Sequence, residues 1–235
     1  MKQKLDAFFK GMKHPKQRLF SLFFFAAYCI SFYLIERRTS GFHMIDSPLD
    51  DKIPFLPGFI LAYYFWFLYV FITLFWFFFV SEEDYLKGFW FLAIGMASFI
   101  ILNIFWPTAI DIRPENVPGK DFCSWLVRLM YSIDTPTDVF PSLHVYNTVG
   151  IHACILNSTW IRKKAAAHSK DEKQYHRILH RVYTISAIIA VLIIISTMFV
   201  KQHSVIDVLG GLILGAIVYY FMYMFPKSPF KAKHA

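Results

Sequence analysis

Charge is scarce in this chain. Lys, Arg, Asp and Glu make up 17% of its 235 residues, whereas apolar residues reach 57% and aromatics 20%, among them 27 Phe. A soluble domain carries about a quarter charged residues, so no aqueous domain of any size is expected. Cysteine is also sparse: Cys29, Cys123 and Cys154 are scattered without CxxC spacing, which speaks against a disulfide framework and a thiolate metal site. No internal repeat or low-complexity tract interrupts the chain, and a single domain over 1–235 is the expectation. A cleavable secretory leader is missing in pattern as well. The first apolar run follows a long basic flank and gives way to Glu36-Arg37-Arg38, not to a small-residue cleavage site. It reads as a retained helix.

What the chain has in abundance is long apolar runs. A hydrocarbon core about 30 Å thick needs roughly 20 apolar residues of helix. Six windows approach or reach that: Leu19–Ile35, Phe55–Val80, Gly88–Trp106, Val145–Ile161, Val182–Val200 and Val205–Phe225. Pro57 places the start of the second span near Ile60. An all-α, polytopic membrane protein with six transmembrane helices is predicted, and its motif-bearing core covers about 55–225.

Orientation follows from Lys and Arg, which accumulate in cytoplasmic loops. With the amino terminus inside, the inner segments, including the basic segment 1–18 and the loop 162–181, hold 17 of these residues and the outer segments hold seven. Both termini are therefore expected in the cytoplasm. Topology accounts for the net charge of +8. The basic loop reads as a solvated face beside anionic lipid and not as a nucleic-acid site.

Residues Pro107 to Phe140 are too polar and proline-rich for hydrocarbon. Within them Phe122, Trp125, Leu126, Leu129 and Met130 recur at helical spacing among Lys120, Asp121 and Arg128. An interfacial amphipathic helix between the third and fourth spans is expected there. It could cover the bundle end or wall a headgroup pocket.

Two short segments sit at the mouths of spans on the predicted outer face. Pro141-Ser142-Leu143-His144 opens the fourth, where free amides and partial positive charge suit a phosphate oxygen. An ordinary cap with an interfacial histidine would look the same. His203 and Asp207 are four residues apart and project from one helical face. The carboxylate could hold one ring nitrogen and leave the other free as a nucleophile; a structural hydrogen bond is the plainer alternative. Arg113 supplies a planar donor fork suited to phosphate. Lys201 shares the neighbourhood of His203, as phosphate ligand or interfacial anchor. His152, two turns beyond His144, reads as a buried, hydrogen-bonded histidine, and His43 as solvated.

In order and spacing these residues resemble the motifs of the type 2 phosphatidic acid phosphatase superfamily: Lys, six residues, Arg-Pro; Pro-Ser-Gly-His; and Ser-Arg, five residues, His, three residues, Asp. Arg113-Pro114, Pro141 to His144, and Ser196, His203 and Asp207 match them. Trp106, Leu143 and Thr197 depart from them, so two cationic phosphate ligands are missing. Leu143 makes the second motif look more like the inositol phosphorylceramide synthase branch, whose members transfer a phosphorylated headgroup between lipids.

The resemblance implies an outward-facing lipid phosphatase acting through a phosphohistidine. His203 would be the nucleophile, Asp207 its orienting carboxylate and His144 the proton donor and later base, with Arg113, Ser142 and Lys201 on the phosphate oxygens. No metal or other cofactor is needed by that scheme. The partners it implies are a phospholipid or isoprenyl phosphate substrate and the surrounding membrane lipids, with no nucleic acid. A lipid headgroup transferase is the rival. Zinc held by His144, His203 and Asp207 is a weaker option, as are a transporter, which favours midplane charges in paired repeats, and a non-catalytic scaffold. The simple helical plan suits a bacterial plasma membrane.

Overall fold

The computed structural model describes residues 15–226, 228 and 230. Most of the basic amino-terminal segment, with His14, and the tail cations Lys227, Lys231 and Lys233, with His234, lie outside the described residues.

Helix α1 (Pro15–Ile35) is followed by α2 (Ile60–Val80), α3 (Glu82–Phe105), α4 (Phe122–Ile133), α5 (Leu143–Leu156), α6 (Thr159–Ala167), α7 (Glu172–Phe199) and α8 (Val205–Tyr219), the last continued by a π-helical turn over Tyr220–Met224. Almost no sheet accompanies them: β1 (His43–Met44) pairs in parallel with β2 (Thr108–Ala109), His43 opposite Thr108. This is an all-α polytopic membrane protein. Among the described residues five helical stretches, built on α1, α2, α3, α7 and α8, are long and apolar enough to cross a membrane.

The fourth expected span is different. Instead of running over Val145–Ile161, α5 stops after 14 residues, about 21 Å of helix at 1.5 Å per residue. The break falls at Asn157-Ser158, where the Ser158 hydroxyl accepts from the Ile161 amide and caps α6. A second device holds the break. The fully buried Asp84 carboxylate accepts from the Ser158 hydroxyl at 2.7 Å and from the Thr159 and Trp160 amides at 3.0 Å each. These are donors that a helix start leaves unsatisfied. Because α5 packs against α2, α3, α7 and α8, protein surrounds it and its length need not match the bilayer.

Lipid tails are as apolar as these side chains, so close packing and interhelical hydrogen bonds hold such helices together. Tyr146 of α5 is fully buried, its hydroxyl donates to the Phe91 carbonyl at 2.6 Å, and its ring fills the place where a side chain at Gly95 would stand. Tyr69, His152 and Ser186 tie α2, α5 and α7 together at 2.7 and 2.8 Å. His152 thus has the hydrogen bond expected from sequence, although it is half-buried and not buried. Interhelical bonds of this kind contribute about 0.6 kcal/mol each on average.

The amphipathic helix lies where it was expected, as α4. Its N-cap Asp121 accepts from the Cys123 and Ser124 amides at 2.9 and 3.1 Å. Val127 and Met130 pack on Ile60, Tyr63 and Val200, while Phe122, Trp125 and Ile133 stay exposed. One apolar stripe thus faces the bundle and a second faces outward.

Candidate active site

Four chain segments meet at the end of the bundle that carries the 107–140 loop. The turn after α7 is closed by the Thr197 carbonyl, which accepts from the amides of Gln202 and His203 at 2.9 and 3.1 Å. Lys201 adopts a left-handed backbone (φ 54°) to make that turn. Asp50, from the segment before α2, accepts from the Ser204 hydroxyl at 2.6 Å and the Val205 amide at 2.9 Å, fixing the start of α8. The second motif is bound to the third through the backbone, since the Ser142 amide donates to the Asp207 carbonyl at 3.0 Å. At Gly211 the two helices come so close that a Cβ would stand 2.7 Å from the Ser142 carbonyl oxygen.

This frame brings His144, His203 and Asp207 into one chain of hydrogen bonds. His203 Nδ1 lies 2.7 Å from Asp207 Oδ2, and His203 Nε2 lies 3.1 Å from His144 Nδ1. An ionised carboxylate only accepts, so it draws the proton of His203 to Nδ1 and leaves a lone pair on Nε2. His144 Nδ1–H is then the donor to that lone pair. Asp207 is fully buried and His203 nearly so. The His144 ring is packed against Tyr63 and Trp66, with centroids 4.7 and 4.5 Å away. The three side chains spend their donor atoms on one another, which is a different geometry from three ligands converging on a cation.

Of the other expected residues, Arg113 is near. Its Nη2 donates to Gln202 Oε1 at 2.6 Å and to the Asp134 carbonyl at 2.9 Å, its guanidinium stacks 4.3 Å over the Tyr131 ring, and its Nε is buried without a partner. Burial lowers its pKa, a pull opposed first by Asp134. Ser142 is buried, and its hydroxyl accepts from the Val145 amide at 3.3 Å as the cap of α5. Lys201 is tied to another segment of the site, its Nζ donating to the Asp50 carbonyl at 2.5 Å. Neither departure from the motif pattern restores a cation. Trp106 packs on Phe140 and His43, and Thr197 is buried with its hydroxyl on the Ile194 carbonyl.

Sequence reasoning missed four neighbours. Asp134 accepts from Gln202 Nε2 at 2.6 Å and from the Tyr63 hydroxyl at 3.1 Å. Burial raises its pKa, opposed first by His203 and then by Arg113. Gln202 adjoins the third motif, and that adjacency was a usable signal. Tyr63 and Trp66 sit in a run of aromatic residues where nothing marks them out.

The sequence that builds this region matches a family model: the PAP2 superfamily model fits residues 89–230, more than half of the chain. The chain belongs to the PAP2 superfamily. No curated protein and no solved structure matches it significantly. Membership in the PAP2 superfamily supports a phosphatase- or phosphotransferase-type lipid enzyme in general. The PAP2 match takes in all three motifs but begins after α2, so Tyr63 and Trp66 lie outside it.

Proposed function

We propose that the protein is an integral-membrane lipid phosphatase that works through a phosphohistidine on His203. The observation that carries this reading is the continuous chain Asp207–His203–His144, at 2.7 and 3.1 Å. Its resting hydrogen bond joins the two elements a phosphoryl transfer needs, an attacking lone pair and a proton to deliver. With in-line attack the leaving oxygen lies on the far side of phosphorus from Nε2. The rings therefore part as substrate enters.

In the first step the P–N bond forms at His203 Nε2 and the P–O bond to the lipid breaks. His144, protonated on both ring nitrogens when substrate is bound, passes one proton to the leaving oxygen and is left neutral. Asp207 stabilises the cationic ring. In the second step His144 takes a proton from water, the new P–O bond forms, the P–N bond breaks and phosphate departs. Arg113 and the first amides of α5 hold the equatorial oxygens, where charge concentrates. Lys201 serves this site at one remove, by fixing the segment that starts α8, and not as a phosphate ligand. Both termini face the cytoplasm and the site faces outward in this reading. Candidate substrates are phosphatidate, diacylglycerol pyrophosphate, phosphatidylglycerophosphate and isoprenyl pyrophosphates.

A second reading, transfer of a phosphorylated headgroup to an acceptor alcohol, is favoured by Leu143 and by the cationic positions occupied by Trp106 and Thr197. Purified protein with labelled phospholipid and candidate alcohols separates the two. Free phosphate or a freed phosphorylated headgroup supports hydrolysis, a new phosphodiester supports the transferase, and the absence of all these products contradicts both.

A further inference from the structure

One guanidinium and two carboxylates surround the imidazole pair. Asp207 stands behind His203. The second carboxylate, Asp134 at the end of α4, is one side chain removed from both rings: it holds Gln202, which adjoins His203, and Tyr63, whose ring lies against His144. The Nη2 donors of Arg113 are already committed to the Asp134 carbonyl and Gln202, so part of its donor fork is spent before an incoming oxygen arrives. Among the described residues hydrogen-bonded to Asp134, Gln202 or the imidazole pair, Arg113 is the one permanent cation. Lys201 is held by Asp50, and Trp106 and Thr197 stand at the remaining motif positions.

We propose that Asp134 makes this site select a phosphoryl group bearing one negative charge over a dianion. Two esters present that charge: a phosphodiester at any ordinary pH, and a phosphomonoester below its second pKa of about 6. The inference rests on the histidine chemistry proposed above and narrows its substrates, placing a phosphodiester or a singly charged monoester ahead of the dianionic monoesters and pyrophosphates named there. Like charges in a poorly hydrated site repel strongly, and the carboxylate of Asp134 offsets part of what Arg113 offers a second negative charge. The titratable groups facing Asp134 are Tyr63 and Tyr64 of α2, Arg113, His203, and Glu36 and Tyr28 on the α1 side. Of these only Arg113 is a permanent cation.

The test compares phosphatidate with phosphatidylglycerol of the same acyl chains on detergent-purified protein from pH 5 to 8, reading kcat/KM for diacylglycerol release. Attack at phosphorus with loss of the glyceride oxygen gives that product from either ester. The diester is expected to be preferred about tenfold or more at pH 8, with the preference shrinking toward pH 5 as the monoester gains its proton. Asp134→Asn keeps acceptors for Tyr63 and Gln202 and removes the charge. It should shift the pH 8 ratio toward phosphatidate by about tenfold, one log unit for about 1.4 kcal/mol of repulsion. A wild-type pH 8 ratio at or below one overturns the inference, as does an unmoved ratio in a variant with an unchanged unfolding midpoint. Should the variant fail to fold, the wild-type pH series decides alone. Loss of neither ester at any pH contradicts the enzymatic reading itself, a result distinct from a reversed preference.

Discussion

Asp84 at one end of the bundle and the polar groups around the imidazole pair at the other are satisfied to very different degrees. At the end where α5 meets α6, Asp84 is saturated: Ser81, Ser158, Thr159 and Trp160 all donate to its carboxylate. Lys87 nearby is paired with Glu83 at 2.6 Å. At the loop end the same economy breaks down. Arg113 Nε, Trp66 Nε1 and both Asp138 oxygens are buried without partners, and the His144–His203 bond is one that a substrate can replace. Buried groups are normally satisfied. Unpartnered groups are not confined to the loop end, since the buried Tyr223 hydroxyl near Asp84 lacks a partner too. What sets the loop end apart is a bond between two imidazoles that a substrate can replace.

That contrast can be broken from either side. His203→Ala should cut phosphate release by about 10³-fold or more. The protein still inserts, although its unfolding midpoint falls because Asp207 loses its partner. Wild-type turnover in this variant removes the nucleophile. His144→Ala should cost about 10²–10⁴-fold, the usual span for a lost proton donor, and should hurt poor leaving groups most. Equal losses across a leaving-group series would deny it that role.

Asp84→Ala should do the reverse, lowering stability by about 3 kcal/mol through the stranded donors of α6. The folded fraction should retain its specific activity. A drop in activity per folded molecule would erase the contrast between the two ends.

The smallest effect belongs to Asp138, which lies in the loop with a left-handed backbone (φ 51°). Burial pushes its carboxyl up to about 6 from 3.8, with Arg38 opposing. The folded state then holds a proton that the unfolded state has released, so stability falls as pH rises from about 3.8 to about 6. Asp138→Asn, neutral throughout, should gain about 1–2 kcal/mol at pH 7 and nothing below pH 4. Thermal unfolding at both values checks it. A gain that persists at pH 3.5 would point to backbone strain alone.

How much of this was legible beforehand depended on the kind of signal. Apolar runs announce helices because hydrocarbon demands them, so α1, α2, α3, α7 and α8 were readable, and so was α4 from its helical spacing. The early end of α5 was not, because it depends on Asp84, more than seventy residues away in sequence. The pairing of His144 with His203 and Asp207 was readable from motif order and from alternation of spans. The grip of Asp50 on Lys201 and on the start of α8 was not, since nothing local shows which of several loop carboxylates turns inward. Asp134 was visible only as one polar residue among many at the end of an interfacial helix.

The central claim is a covalent bond between phosphorus and His203 Nε2. The most direct measurement is to quench the protein with lipid labelled at phosphorus and map the label. The account predicts an acid-labile, alkali-stable phosphohistidine at His203 that disappears in His203→Ala and accumulates when His144→Ala slows the second step. Steady turnover of the same lipid with no label on His203 at any quench time would contradict it.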